Sequence, residues 1–275
     1  MANTRSLWLA LPLLATAFSM ASCASGPPPG PSAESIAGAN AKVILVAPFN
    51  IVSSLPPELE GSTRMVSDAL VDHLKAHGKT AHLISFRVGR EIWAASMKEV
   101  RDSGAKRNFE NAAKVYARKI GEQIDFDAII VPSLFVQNAK MRSRVSRWDG
   151  AVQRMDLTGK MTKNKASTFK FQTGTLMVRA ASIFVHILDR DGNAILTKRW
   201  GLEVIQHLER KVKGSGGRSG SDKLDVRLVD DTPAIEDAEM VRAGVAAVLS
   251  PFLPEEVPMA SPGSDNPENP SPDPK

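Results

Sequence analysis

Val43-Ile44-Leu45-Val46-Ala47-Pro48 and Ala128-Ile129-Ile130-Val131-Pro132 are the stretches on which the fold turns. Each is a short, unbroken apolar run closed by a proline, which is how a strand buried on both faces reads. Between them the apolar period changes. Val66, Ala69, Leu70 and Leu74 keep helical spacing, with Ser62 or Thr63 to cap the start and Gly78 to end it. Residues 80–86 read as a returning strand and 90–100 as a helix. Residues 108–120 read as a further helix, with Phe109, Ala113, Tyr116 and Ile120 on one face and Gly121 as its stop. Strands alternating with helices predict parallel pairing through right-handed crossovers.

The second half changes character. Met155, Leu157, Gly159 and Met161 alternate with Arg154, Asp156, Thr158 and Lys160, and Phe169, Phe171 and Thr173 alternate with Lys170 and Gln172. This predicts a hairpin of 151–162 with 168–178, turning at 163–167. A second hairpin is expected over 180–188 and 194–200, joined by Asp189-Arg190-Asp191-Gly192-Asn193. Gly214, Gly216, Gly217 and Gly220 mark a loop. Residues 236–249 close the body as a helix with Ala238, Val241, Val245 and Val248 on one side. The fold expected is α/β: one three-layer-like domain over 41–253 with a mixed sheet, parallel βα units first and antiparallel hairpins after.

The two ends do not read as globular. Arg5 precedes an apolar run over 7–18, and small residues follow. That is the order of an export signal, and the run is shorter than the roughly 20 residues of a spanning helix. Residues 24–40 are rich in Pro, Gly, Ser and Ala, and predict an extended linker. Residues 254–275 are acidic and Pro-rich, and predict a disordered tail. The sole Cys, Cys23, stands where the signal ends. Met20-Ala21-Ser22-Cys23 resembles the bacterial lipobox, although the usual first residue is Leu. The resemblance implies a signal peptide over 1–22 and a covalent lipid on Cys23, with several acyl chains, palmitate among them. The alternative is a plain secretory signal with an incidental Cys. Ala24 follows the Cys, which by resemblance to Gram-negative lipoproteins implies the periplasmic face of the outer membrane. One thiol in 275 residues excludes a disulfide framework and a Cys-rich zinc site.

The chain carries 35 Lys+Arg against 30 Asp+Glu. Arg5 is the leader's charge and the tail is acidic, so the body is more basic than the whole. Much of the excess lies in Lys140, Arg142, Arg144, Arg147, Arg154, Lys160, Lys163, Lys165 and Lys170, which meet Asp149 and Asp156 in the same stretch. Such a cluster is either a solvated loop or a surface for an anionic partner. In an envelope compartment that partner is a lipid headgroup, an anionic polymer or an acidic protein, and not nucleic acid.

The order of these segments resembles the superfamily that contains the amino-terminal domain of TolB, the curli secretion channel lipoprotein and the lipoprotein activator of penicillin-binding proteins. The matching segments are 43–49 with the trailing Pro48-Phe49, the helix at 65–74, Lys119-Ile120-Gly121 followed by 126–131, and 183–193. The stretch 137–178 departs from the small members. The resemblance implies an envelope scaffold, adaptor or channel subunit with no catalytic residue to carry over, and it is compatible with a homo-oligomer.

Chemical motifs are weak throughout. His73 and His77 have the i, i+4 spacing of a metal pair, but Leu74 occupies the zincin Glu position and no third ligand is evident. Gly78-Lys79-Thr80 echoes a phosphate loop at the wrong end of a helix. Asp189, Asp191 and Asn193 echo a calcium loop, but Trp200 stands in place of its closing acid. Neither GxSxG nor CxxC occurs. Trp93, Trp148 and Trp200 read as core or rim. The expectation is therefore a non-enzymatic, lipid-anchored binding or assembly module without metal or diffusible cofactor, held to a membrane and to an envelope protein or polymer. The alternative is an oligomeric secretion channel subunit of the curli type, whose 153–175 hairpin would supply membrane strands of about 9–11 residues.

Overall fold

Val43–Val46 (β1) is flanked by two parallel neighbours, Thr80–Leu83 (β2) and the first residues of Ala128–Arg142 (β3). The computed structural model describes residues 32–155, 157–158, 175–211, 225–230 and 235–253. Helices cover both faces of β1 and of the start of β3. Ile44, Val46, Ala128 and Ile130 bury against Thr63–Ala76 (α2) and Ala238–Leu249 (α5). Leu45, Ala47, Ile129 and Val131 bury against Phe86–Asp102 (α3) and Phe109–Gly121 (α4). Adjacent residues point to opposite faces, so a strand covered on both sides must be apolar at every position. That is why these runs show no alternation. Asp127 joins β1 to β3: its carboxylate accepts from the Lys42 and Val43 amides at 2.8 Å each.

From β3 onward the pairing is antiparallel. Leu176–Asp189 (β7) follows β3 along its length, from Ala128↔Asp189 to Met141↔Leu176, and Ala194–Val204 (β8) pairs with β7. Val145–Trp148 (β4) pairs with the far end of β3, and Ala151–Arg154 (β5) with β4. A second sheet joins Asp225–Asp230 (β10), Gln206–Lys211 (β9) and Leu157–Thr158 (β6). The architecture is thus the α/β domain that the sequence predicts, three layers about a mixed sheet.

Four expectations are corrected. Pro132 does not end β3. The Pro132 carbonyl accepts from Asn50, on the β1 side, and β1 ends at Val46↔Ile130. The amide proton that proline lacks therefore faces the end of β1 and removes no bond to β7. The helix expected over 90–100 starts at Phe86, because Ser85 caps it and accepts from the Val88 amide at 3.4 Å. The last eight residues of the expected linker form a helix, Ala33–Asn40 (α1), capped by Ser32. Gly38 lies against the Phe252 carbonyl, where a Cβ would fall 1.6 Å from that oxygen, and Lys79 Nζ donates to the Gly38 and Ala39 carbonyls at 2.8 and 3.2 Å. The expected 151–162/168–178 hairpin is divided: 151–154 pair with β4 and 176–178 with β3, while 156 and 159–174 lie outside the described residues. So do Cys23, the Gly214–Gly220 loop and the 254–275 tail.

Candidate functional site: a bare basic face of the sheet

β3 and β7 outrun their helices. On the face that packs against α2 and α5 the buried series Ala128, Ile130, Leu134 continues as Asn138, Lys140 and Arg142, all exposed. Two tight turns widen this end. Arg142 and Val145 face each other across Ser143 (φ 50°) and Arg144 (φ 66°), and Trp148 and Ala151 across Asp149 (φ 40°) and Gly150 (φ 81°). Positive φ at both central residues is the type I′ geometry that matches strand twist.

Register then sets the face. Lys140 stands opposite Arg147 on one side and Met177 on the other. Arg147 stands opposite Val152, and Val145 lies between Arg142 and Arg154. Directly opposed residues share a face, so Lys140, Arg142, Arg147 and Arg154 come together, all exposed. Val152 and Met177 sit among them, 52% and 49% exposed. Arg144 occupies the turn and is half-buried. Its carbonyl accepts from the Met155 amide at 2.8 Å. Lys160, Lys163, Lys165 and Lys170 lie outside the described residues. Of the predicted binding residues, four share one surface and the fifth closes its rim.

The opposite face of these strands holds them rigid. Trp148 is buried and donates from Nε1 to the Ala181 carbonyl at 3.1 Å. Gln153 Oε1 accepts from the Val204 amide at 2.7 Å, and the Gly201 amide donates to the Asp149 carbonyl at 3.3 Å. Ala139, Met141, Met155, Val178 and Ala180 pack into one buried cluster on that opposite face. The local acid is turned away: Asp149 pairs with Arg199 at 3.0 Å and accepts from Gln137. Glu58 is held by Arg179 at the border of the face. Among the described residues none of Lys140, Arg142, Arg144, Arg147 and Arg154 forms an ion pair. Sequence reasoning missed Val152 and Met177, and it missed the β4–β5 hairpin. The signal was present as Asp149-Gly150, the dipeptide that type I′ turns favour.

The other candidates take structural positions. His77 ends α2 with its ring nitrogen 2.9 Å from the His73 carbonyl, and the two rings lie 4.4 Å apart. No group of three His, Cys, Asp or Glu able to hold a metal occurs among the described residues. Lys79 ties down α1. The Asp189 carboxylate accepts from the Asp191 and Asn193 amides at 2.9 and 2.8 Å and from Asn193 Nδ2 at 3.0 Å, so its own turn consumes it. Trp93 packs against Phe109 and Tyr116, and Trp200 lies half-buried under Lys198. Burial raises the Tyr116 hydroxyl well above the usual phenol range.

No family model and no curated protein matches the chain. Among solved structures the chain is similar to a dodecamer of a PelC point variant from Paraburkholderia phytofirmans, at 10% identity over 77% of this chain and 88% of that one, with a TM-score of 0.30. A likeness at that score carries no argument about this chain.

Proposed function

We propose that the chain is a lipid-anchored, non-catalytic binding or assembly module of the bacterial envelope. It is tethered through Cys23 at the periplasmic face of the outer membrane and works through the basic sheet face. The observation that carries this reading is the face itself. Four exposed cations stand in register on rigid strands with no ion-pair partner among the described residues, and such an arrangement attracts an anionic envelope protein or polymer. The leader and the lipobox-like Met20-Ala21-Ser22-Cys23 support the location. Cys23→Ala moves the protein from the membrane to the soluble periplasmic fraction. Arg142→Glu/Arg144→Glu/Arg147→Glu abolishes capture of envelope components in pull-downs from detergent extracts, where the lipid anchor no longer holds the chain to a membrane. Unchanged capture by the triple variant would refute the face.

A second reading, an oligomeric secretion channel subunit, is favoured by a different observation. β2 is an edge strand with no outer neighbour among the described residues. Leu83 at its end and Phe86 just beyond it are 54% and 59% exposed, and an open apolar edge is a pairing surface. Detergent-extracted protein that runs as a ring-sized assembly and conducts ions across a planar bilayer would establish it. A non-conducting monomer rejects it.

A further inference from the structure

We propose that the basic face docks on an anionic lipid bilayer surface, an inference that rests on the reading of this face as the working surface. Each exposed apolar side chain stands directly opposite a cation, Val152 beside Arg147 and Met177 beside Lys140. A headgroup layer accepts both kinds of group at one depth. Guanidinium and ammonium meet phosphate, while the neighbouring aliphatic chain enters the acyl boundary. A hydrated acidic polymer satisfies the cations and leaves Val152 and Met177 in water, with no gain for exposing them. The extent agrees. Lys140, Arg142, Arg147 and Arg154 lie on β3, β4 and β5, and Met177 on the adjoining β7, so the face spans four strands, roughly 14 Å at about 4.8 Å per strand, and presents all four cations to one side. Each cation at an anionic surface is worth about fivefold in affinity, so four give a strong, salt-sensitive attraction.

The full chain carrying Cys23→Ser isolates this contribution, since no acyl chain is attached and the leader is common to all variants. Its partitioning is measured onto vesicles of phosphatidylcholine alone and of phosphatidylcholine mixed with phosphatidylglycerol. The expected result is a preference of about tenfold or more for the mixed vesicles, weakened by salt. Arg142→Glu/Arg147→Glu removes the preference, and Arg142→Lys/Arg147→Lys keeps it. Val152→Ser/Met177→Ser, with unchanged circular dichroism, weakens binding to the mixed vesicles about threefold or more. Equal binding to both vesicles overturns lipid docking. If the same protein is then retained on polygalacturonate and Arg142→Glu/Arg147→Glu is not, the basic face stands with a polymer as its ligand. If the Glu pair alters neither vesicle, polymer nor envelope binding, the parent reading falls as well.

Discussion

Asn50 shows how one side chain extends a sheet. β1 has ended, yet β3 continues, and its next backbone groups on that side need partners. The Asn50 amide donates to the Pro132 carbonyl at 3.1 Å. Its side chain then acts as a peptide group: Oδ1 accepts from the Leu134 amide at 2.8 Å, and Nδ2 donates to the Leu134 carbonyl at 2.9 Å. Asn50 is buried with φ 55°, a conformation that Asn tolerates better than most residues. Asn50→Ala strands both Leu134 groups in the core and should cost about 3 kcal/mol in a urea melt. A loss below about 1 kcal/mol would mean that water replaces the amide. His186 is a second case. Its ring stacks on Phe109 at 4.1 Å and bonds Thr197 at 3.0 Å, and burial lowers its pKa. The unfolded chain therefore takes up the proton first on acidification. Stability is full above about pH 6.5, the ordinary histidine value, and declines as pH falls from there through the lowered native pKa. His186→Phe removes the group, so its melting temperature should change less than wild type between pH 7 and pH 5 once other titrations are matched.

At the scale of elements, the β4–β5 hairpin is decided by close approach. Gly201 on β8 lies under it, and a Cβ there would fall 2.4 Å from Trp148 Nε1 and 2.6 Å from the Ala151 Cβ. Gly201→Ala must push the hairpin away, at a cost of about 1–3 kcal/mol, and the buried Trp148 should show it as a red-shifted, quenchable fluorescence. Unaltered emission would mean that β8 yields instead. The turn at 189–193 meets α4 as tightly: a Cβ on Gly192 would stand 2.5 Å from the Lys114 Cα. Element type was legible wherever one physical cue decided it. The continuous runs at Val43 and Ala128 were strands, and Val66, Ala69, Leu70 and Leu74 all proved buried on α2. Pro132 misled because a proline's effect depends on which neighbour its missing amide faces, and no local pattern states that. The 151–178 alternation showed that strands were present there. It could not show that each leg of the expected hairpin pairs elsewhere.

At the scale of the molecule, the first and last described segments close on each other. α1 lies against Phe252, and Lys79 clasps its last carbonyls. Burial of the Lys79 ammonium lowers its pKa, a cost that the two carbonyls offset. Deleting residues 33–40 should uncover Phe252 and Leu253 and lower the melting temperature by roughly 5 °C, with faster amide exchange at the end of α5. An unchanged melt would make α1 an ornament. The sequence by itself determined the α/β class, the order of strands and helices from β1 to β3 and the basic excess after Lys140, because period, capping and charge are local properties. Only the tertiary structure decided that the cations form a face. A side chain's neighbours there come from strand register, which the two type I′ turns and the length of β7 impose over distances that no sequence window spans. The same register placed Val152 and Met177 among them, and with that turned a charged stretch into a surface with two chemistries.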